Sequence, residues 1–255
     1  MGWIWEIRCE ATKGGADAVD CKMIQVALNG VNQGLAAERL NIQQDFSTKH
    51  CVLLRQFLSS DVKRHVRGLL RDRNYYTRVD HNTDGTMFAR ESTLSADHPL
   101  ANYMFMLLNQ PALFRLMAEL TQYEGQFNFF RSRVYEFAPK PEHFDSWHDD
   151  DEKDQIVGLS INLNPEPLEG GEFEIRDCET GEITCRVEGT AFGDAHFFRI
   201  GNKFDHRVLP VTGENPRISC AGWFCPKPNY RDEIAKMFQN VVSPMPRGDD
   251  PTGKP

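Results

Sequence analysis

The chain has 255 residues, of which 40% are hydrophobic, with 17 Phe and 4 Trp; that supports one domain with a substantial core and excludes a disordered chain. Asp and Glu outnumber Lys and Arg by 37 to 29, a formal charge of −8, which argues against nucleic acid as a partner, and the basic run Lys63, Arg64, Arg67, Arg71 and Arg73 reads as a solvated helix face. Seven cysteines without CxxC spacing, no basic n-region at the start and no apolar run of membrane length lead us to expect free thiols, a cytoplasmic location and no membrane partner.

Residues 1–50 are weakly patterned. Met23 to Leu28 suits a short strand or helix, and Gly30, Asn32 and Gly34 punctuate the next stretch, so an appendage is expected here. Over 51–126 helical periodicity dominates, predicting a helical support layer for the same domain. Ser59 and Ser60 precede Asp61, the expected N-cap, and Val62, Val66, Leu69 and Leu70 repeat at helical spacing. Pro99 opens a second helix through Tyr103, Met104, Leu107 and Leu108; Pro111 opens a third with Leu113, Leu116, Met117 and Leu120 on one face.

After Glu124-Gly125 the period changes to two. Short strands are predicted over 127–137, 155–163, 171–175, 183–187, 196–200, 206–211 and 217–223. Pro139 and Pro141, Asn164-Pro165, Gly170-Gly171, Thr180-Gly181, Gly193-Asp194 and the run Gly213 to Pro216 separate them. Short strands at this spacing imply a sandwich or barrel, and a jelly roll is one closure. The fold class is therefore mainly β with helices (α+β), with a β core over 127–225. A C-terminal helix within 226–242 and a disordered tail, 243–255, complete the expectation.

His148 and Asp150 flank one residue; on an extended segment they share a face and meet one ion. His206, on a late strand, is the best third ligand. Two imidazoles and one carboxylate on one side of Fe(II) leave positions open for a chelating substrate and O2. Eleven residues beyond His206 comes Arg217-Ile218-Ser219, where a strand puts Arg217 and Ser219 on one face with Ala221 and Trp223. A guanidinium in a partly apolar cavity needs an anion, and a dicarboxylate chelating the metal at its other end supplies one, with the Ser219 hydroxyl assisting.

His-x-Asp, a distal His and Arg-x-Ser, in this order, resemble the 2-oxoglutarate/Fe(II)-dependent dioxygenase superfamily in its prolyl-hydroxylase-like branch. The segments Gly158 to Leu163, Glu169-Gly170-Gly171-Glu172 and Gly193-Asp194-Ala195 fit the same pattern. The resemblance covers roughly residues 127–225. It implies a double-stranded β-helix (jelly roll, cupin-like) with an N-terminal helical layer, a metal at one open end, and oxidative decarboxylation of 2-oxoglutarate coupled to C–H oxidation. It implies Fe(II), 2-oxoglutarate and O2 as cofactors, and Tyr135 as a hydrogen-bond partner of the bound oxoacid. The carboxylate at 150 favours hydroxylation, since related halogenases carry a small residue there. The context Ser146-Trp147-His148 resembles small-molecule hydroxylases, so a small molecule such as an amino acid or specialised metabolite is the expected substrate.

Alternatives stand beside these readings. His143-Phe144-Asp145 is a second His-x-Asp and a rival ligand pair. His196 competes with His206 but lies too far before Arg217 for the family's spacing. The acidic run Asp149 to Asp154 lacks the glycine and terminal glutamate of a calcium loop. Arg133 is a candidate for a substrate carboxylate, with a surface ion pair as the plainer reading, and Asn162 for a cavity contact. Protein side-chain (prolyl-type) hydroxylation and a non-catalytic cupin-like metal-binding module are the rival functions.

Overall fold

Alternation along the strands sends apolar side chains to both faces of a curved sheet, and this double sorting builds the molecule. The computed structural model describes residues 24–71, 75–81, 85–150 and 154–226. The described chain begins with β1 (Ile24–Ala27), β2 (Gly30–Gln33), α1 (Ala36–Lys49), β3 (Cys51–Leu54) and α2 (Ser60–Leu69). Then come β4 (Tyr75–His81), β5 (Met87–Leu94), α3 (Pro99–Leu108) and α4 (Pro111–Thr121). Eight strands complete it: β6 (Phe129–Phe137), β7 (Phe144–His148), β8 (Val157–Asn162), β9 (Phe173–Asp177), β10 (Ile183–Val187), β11 (Ala195–Arg199), β12 (Phe204–Val208) and β13 (Arg217–Cys225).

The large sheet runs β10-β9-β12-β7-β5-β6-β13-β8-β11-β3, with β4 alongside β5. Its two halves, β10-β9-β12-β7 and β6-β13-β8-β11-β3, are joined by β5. Ala89 and Arg90 of β5 pair with Asp145 and Phe144 of β7, while Ser92 and Thr93 pair with Glu136 and Tyr135 of β6. The result is an antiparallel jelly roll, the double-stranded β-helix.

Along β13 the sorting is plain. Ile218, Cys220 and Phe224 point to the helical layer, where they pack in one core with Met104, Leu113 and Leu120. Val157, Leu159 and Ile161 of β8 and Phe197 of β11 join the same core. The opposite faces line the inside of the roll, where Phe173, Ile175, Phe198, Phe204 and Val208 form a second cluster. Each fully buried side chain of this size contributes about 1.5–3 kcal/mol relative to exposure. Close packing also dictates a glycine: a Cβ at Gly222 would lie 1.8 Å from the Arg131 carbonyl oxygen on β6.

The three expected helices are present, with Pro99 and Pro111 in the first turns of α3 and α4, but α2 is capped by the Ser59 hydroxyl rather than by Asp61, which lies in its first turn. Two stretches differ from expectation. Residues 24–50 are integrated rather than appended: Val26 is fully buried and bonds to the Phe57 carbonyl, and Phe46 of α1 stacks on Phe197 at 5.1 Å. Residues 51–126 carry three strands besides their helices, because β4 and β5 alternate polar and apolar residues too irregularly to announce themselves. The helix expected within 226–242 and the tail lie outside the described residues. Among the described residues no helix is long and apolar enough to cross a membrane, and Cys51, Cys178, Cys185, Cys220 and Cys225 are free thiols.

Candidate active site

His148 ends β7, and His206 is its cross-strand partner on β12, so sheet register alone sets the two imidazoles side by side with ring centroids 4.2 Å apart. Asp150 reaches them differently from the expected extended segment. The strand stops at His148, and Asp150 takes a left-handed conformation, φ 52°, that folds its carboxylate back over the rings. Asp tolerates this region better than most residues. Asp150 Oδ1 then lies 3.6 Å from His148 Nε2, and Oδ2 lies 3.2 Å from His206 Nε2. Ligand atoms of all three fall within 4.8 Å of one another.

Neighbouring groups orient this set. Nδ1 of His148 faces the Ser146 carbonyl at 2.7 Å and the Asp145 carboxylate at 3.2 Å, which keeps a proton on Nδ1 and leaves the Nε2 lone pair toward Asp150. Phe88 stacks on the same ring at 4.4 Å. The Trp223 indole Nε1 donates to Asp150 Oδ2 at 2.7 Å. Burial alone would raise the Asp150 carboxyl, but the hydrogen bond and charge of His206, the charge of His148 and the Trp223 indole outweigh it and hold Asp150 well below the usual carboxylate range. For His148 burial is outweighed in turn by Asp145 and Asp150, and its pKa is raised.

This donor set fits a ferrous ion. Two nitrogens and one carboxylate converge, no fourth His, Cys, Asp or Glu joins them among the described residues, and a cavity of about 530 Å³ opens beside them. That is the half-open donor set of a catalytic non-haem iron site rather than the closed shell of a structural metal.

Arg217 lines the same cavity from β13. It is 6% exposed, and its Nη1 donates to the Tyr135 hydroxyl at 3.0 Å. Gly171 makes room for it: at φ 70°, any Cβ there would meet Arg217 Cδ at 3.0 Å. Ser219 is buried on the same face and lines a deeper adjoining cavity of about 300 Å³ together with His196 and Ser160. His196 lies inside β11, its ring tilted against Phe173 at 4.5 Å. Burial first, then the charges of Arg217 and His206, push it down to about 3, so the ring is neutral.

The rival pair separates. His143 Nδ1 accepts from the Ala138 backbone N–H at 2.8 Å, pinning the turn before β7, while Asp145 stands behind His148. Asn162 lines the adjoining cavity, with its amide bonded to Thr190 and to the Asn164 N–H. Arg133 is no surface pair: it lines the larger cavity, its Nε 2.9 Å from Glu91 Oε1. Sequence alone gives Trp223 no role at the metal cluster. Its place on the Arg217 face is visible there, but its bond to Asp150 depends on a left-handed turn that no spacing announces.

Residues 125–225 match the family model described as the 2OG-Fe(II) oxygenase superfamily. That match ties this segment of the chain to the superfamily. The chain is similar in fold to a 2OG-Fe(II) oxygenase family oxidoreductase from Burkholderia pseudomallei, with TM-score 0.59 and 14% identity over 74% of this chain and 91% of that one. It is similar to a Trichoplax adhaerens prolyl hydroxylase in complex with a hypoxia inducible factor peptide fragment, with TM-score 0.54 and 13% identity over 78% and 92%. A Pseudomonas putida prolyl-4-hydroxylase gives TM-score 0.51 and 18% identity over 74% and 99%. No curated protein matches the chain in sequence. The family matched over residues 125–225 uses Fe(II), 2-oxoglutarate and O2, and the His-x-Asp and distal His of this chain form the one metal-competent cluster among the described residues.

Proposed function

We propose that His148, Asp150 and His206 hold Fe(II), that Arg217, Ser219 and Tyr135 bind 2-oxoglutarate, and that the enzyme hydroxylates a C–H bond of a small molecule such as an amino acid or specialised metabolite. The single observation carrying this reading is that the His-Asp-His cluster and the buried Arg217 line one open cavity. When bound, the ferrous ion couples 2-oxoglutarate, O2 and the substrate R–H to succinate, CO2 and R–OH.

The chain's own residues supply position and environment. Trp223 fixes one Asp150 oxygen, leaving the other free to ligate. Tyr135 takes one Arg217 N–H, which orients the remaining guanidinium donors for the far carboxylate of the diacid, and the phenolic proton stays available to the same anion. Phe173, Phe198 and Val208 line the cavity and exclude water, which strengthens these charge-assisted bonds.

Anaerobic addition of Fe(II) and 2-oxoglutarate is expected to give the weak visible charge-transfer band of the chelate. Arg217→Met should raise the 2-oxoglutarate concentration needed for half-saturation by about a hundredfold, the worth of a buried charged pair losing one partner. Metal-loaded protein without the band would favour a cupin-like binding module instead. Fold likeness to two prolyl hydroxylases supports protein side-chain hydroxylation as the second reading. Incubation with free small molecules and with prolyl peptides, scored for the gain of one oxygen atom, separates the two.

A further inference from the structure

The wall formed by β5 and β6 carries paired charges that the metal and 2-oxoglutarate leave unused. Glu91 on β5 and Arg133 on β6 both line the cavity of about 530 Å³, together with Phe88 and Trp223. Arg133 Nη2 also stands 3.6 Å from Asp80, whose carboxylate is gripped by Arg78 at 2.6 and 3.0 Å. The Arg133 guanidinium lies over the rings of Trp223, at 5.1 Å, and Tyr135, at 5.8 Å. Carboxylates on its edge and rings on its faces hold the fork still.

This pair differs from a closed structural ion pair. Glu91 Oε1 and Arg133 Nε are 2.9 Å apart, yet both are buried and neither makes an aligned hydrogen bond. Such atoms are costly to leave without partners, and here they border the reaction cavity. Burial pushes the Glu91 carboxyl up to about 7 against the pull of Arg133 and Arg78. A ligand that brings an anion and a cation on neighbouring atoms supplies an aligned partner to each of the two groups.

Building on the oxygenase reading above, we infer that the substrate is a free α-amino acid, its carboxylate taken by Arg133 and its ammonium by Glu91. A residue within a peptide has neither charge and would leave the pair unanswered. The zwitterion enters with net charge zero and exchanges its hydration for two charge-assisted contacts on a braced fork. Phe88 and Trp223, on the same wall, are left for its side chain.

The test is anaerobic calorimetry on protein loaded with Fe(II) and 2-oxoglutarate. The twenty proteinogenic L-amino acids are titrated individually; the tightest is then compared with its N-acetyl and methyl ester derivatives and with a prolyl peptide. At least one free amino acid is expected to bind, and blocking either charge should weaken it about tenfold or more. Arg133→Gln should erase the discrimination against the ester, and Glu91→Gln the discrimination against the N-acetyl form. The chelate band in each variant verifies that the site is folded; if a variant loses it, the derivative series on the wild type decides. A chelate band with no binding of any free amino acid, equal binding of blocked and free forms, or binding of the peptide alone overturns the inference and leaves the oxygenase reading intact. Absence of the band from the wild-type protein overturns both.

Discussion

Replacing Trp223 by Phe removes one hydrogen bond and trims the bicyclic ring to a single one. An aromatic face beside Arg131 and Arg133 is kept, while the indole N–H that reaches Asp150 Oδ2 at 2.7 Å is lost. A hydrogen bond to a charged acceptor is worth about 1.5–3 kcal/mol, and each 1.4 kcal/mol is a factor of ten, so metal affinity should fall about tenfold to a hundredfold. Loss of an oriented outer partner of a metal ligand has that size in general. The assay is competitive titration of the metal-free protein with Fe(II) or Mn(II), alongside thermal melts of the metal-free form to show that the fold persists. The carboxylate, freed at Oδ2, can also swing to bind through both oxygens and fill a position needed by 2-oxoglutarate. Half-saturation by 2-oxoglutarate should therefore rise in the variant even at saturating metal. A metal affinity within twofold of wild type, in a protein that melts normally, would refute the role given to the indole.

The geometry fixes three further outcomes. His148→Ala and Asp150→Ala should each abolish metal binding while His143→Ala retains it, because His143 holds the Ala138 turn; metal binding surviving in His148→Ala would reverse the ligand assignment. Gly222→Ala forces a Cβ to 1.8 Å from a backbone carbonyl, a clash that no rotamer relieves. It should cost about 3 kcal/mol or more, a drop of about 6–12 °C in Tm, and an unchanged melt would disprove the tight β6–β13 approach. His196 is held at about 3, so above pH 6.5 its contribution to stability is complete, and it is lost as pH falls from 6.5 toward 3, where the unfolded chain takes a proton and the fold does not. Between pH 6.5 and 5 the metal-free wild type should lose about 2 kcal/mol more than His196→Gln, with the other histidines cancelling between the two proteins; equal slopes in denaturant titrations would rule this out.

The chemistry is more legible in the sequence than the architecture that supports it. Arg217 and Ser219 share a strand face because side chains alternate with period two, and the run 217–223 shows that period openly. His148 and His206 can be paired as ligands, but their contact is a matter of register between β7 and β12, which local pattern does not encode. Strand β7, Phe144–His148, escapes a reading by pattern because five residues with one Phe, one Trp and two charged or titrating groups look like a loop beside the active centre. The same holds for β4 and β5: Glu91 and Thr93 are buried polar residues on an inner face, so the usual apolar rhythm is broken where the cavity needs charge. Residues 24–50 hide for another reason. Helix α1 buries only Phe46 of its fourteen residues, so its amphipathic signal is faint although its docking on α4, through Arg39 and Glu119 at 2.7 Å, is specific.

Strand β5 closes the roll by pairing with β6 on one flank and β7 on the other, and it brings Phe88 and Glu91 to the cavity. It lies outside residues 125–225, the stretch that carries the family's pattern. Part of the cavity wall is thus encoded outside the segment that carries the metal cluster, while Arg133 and Trp223 supply the rest from within it. Exchanging Glu91 should change which molecules the cavity accepts, whereas exchanging Phe88, stacked on His148, should disturb the metal cluster as well.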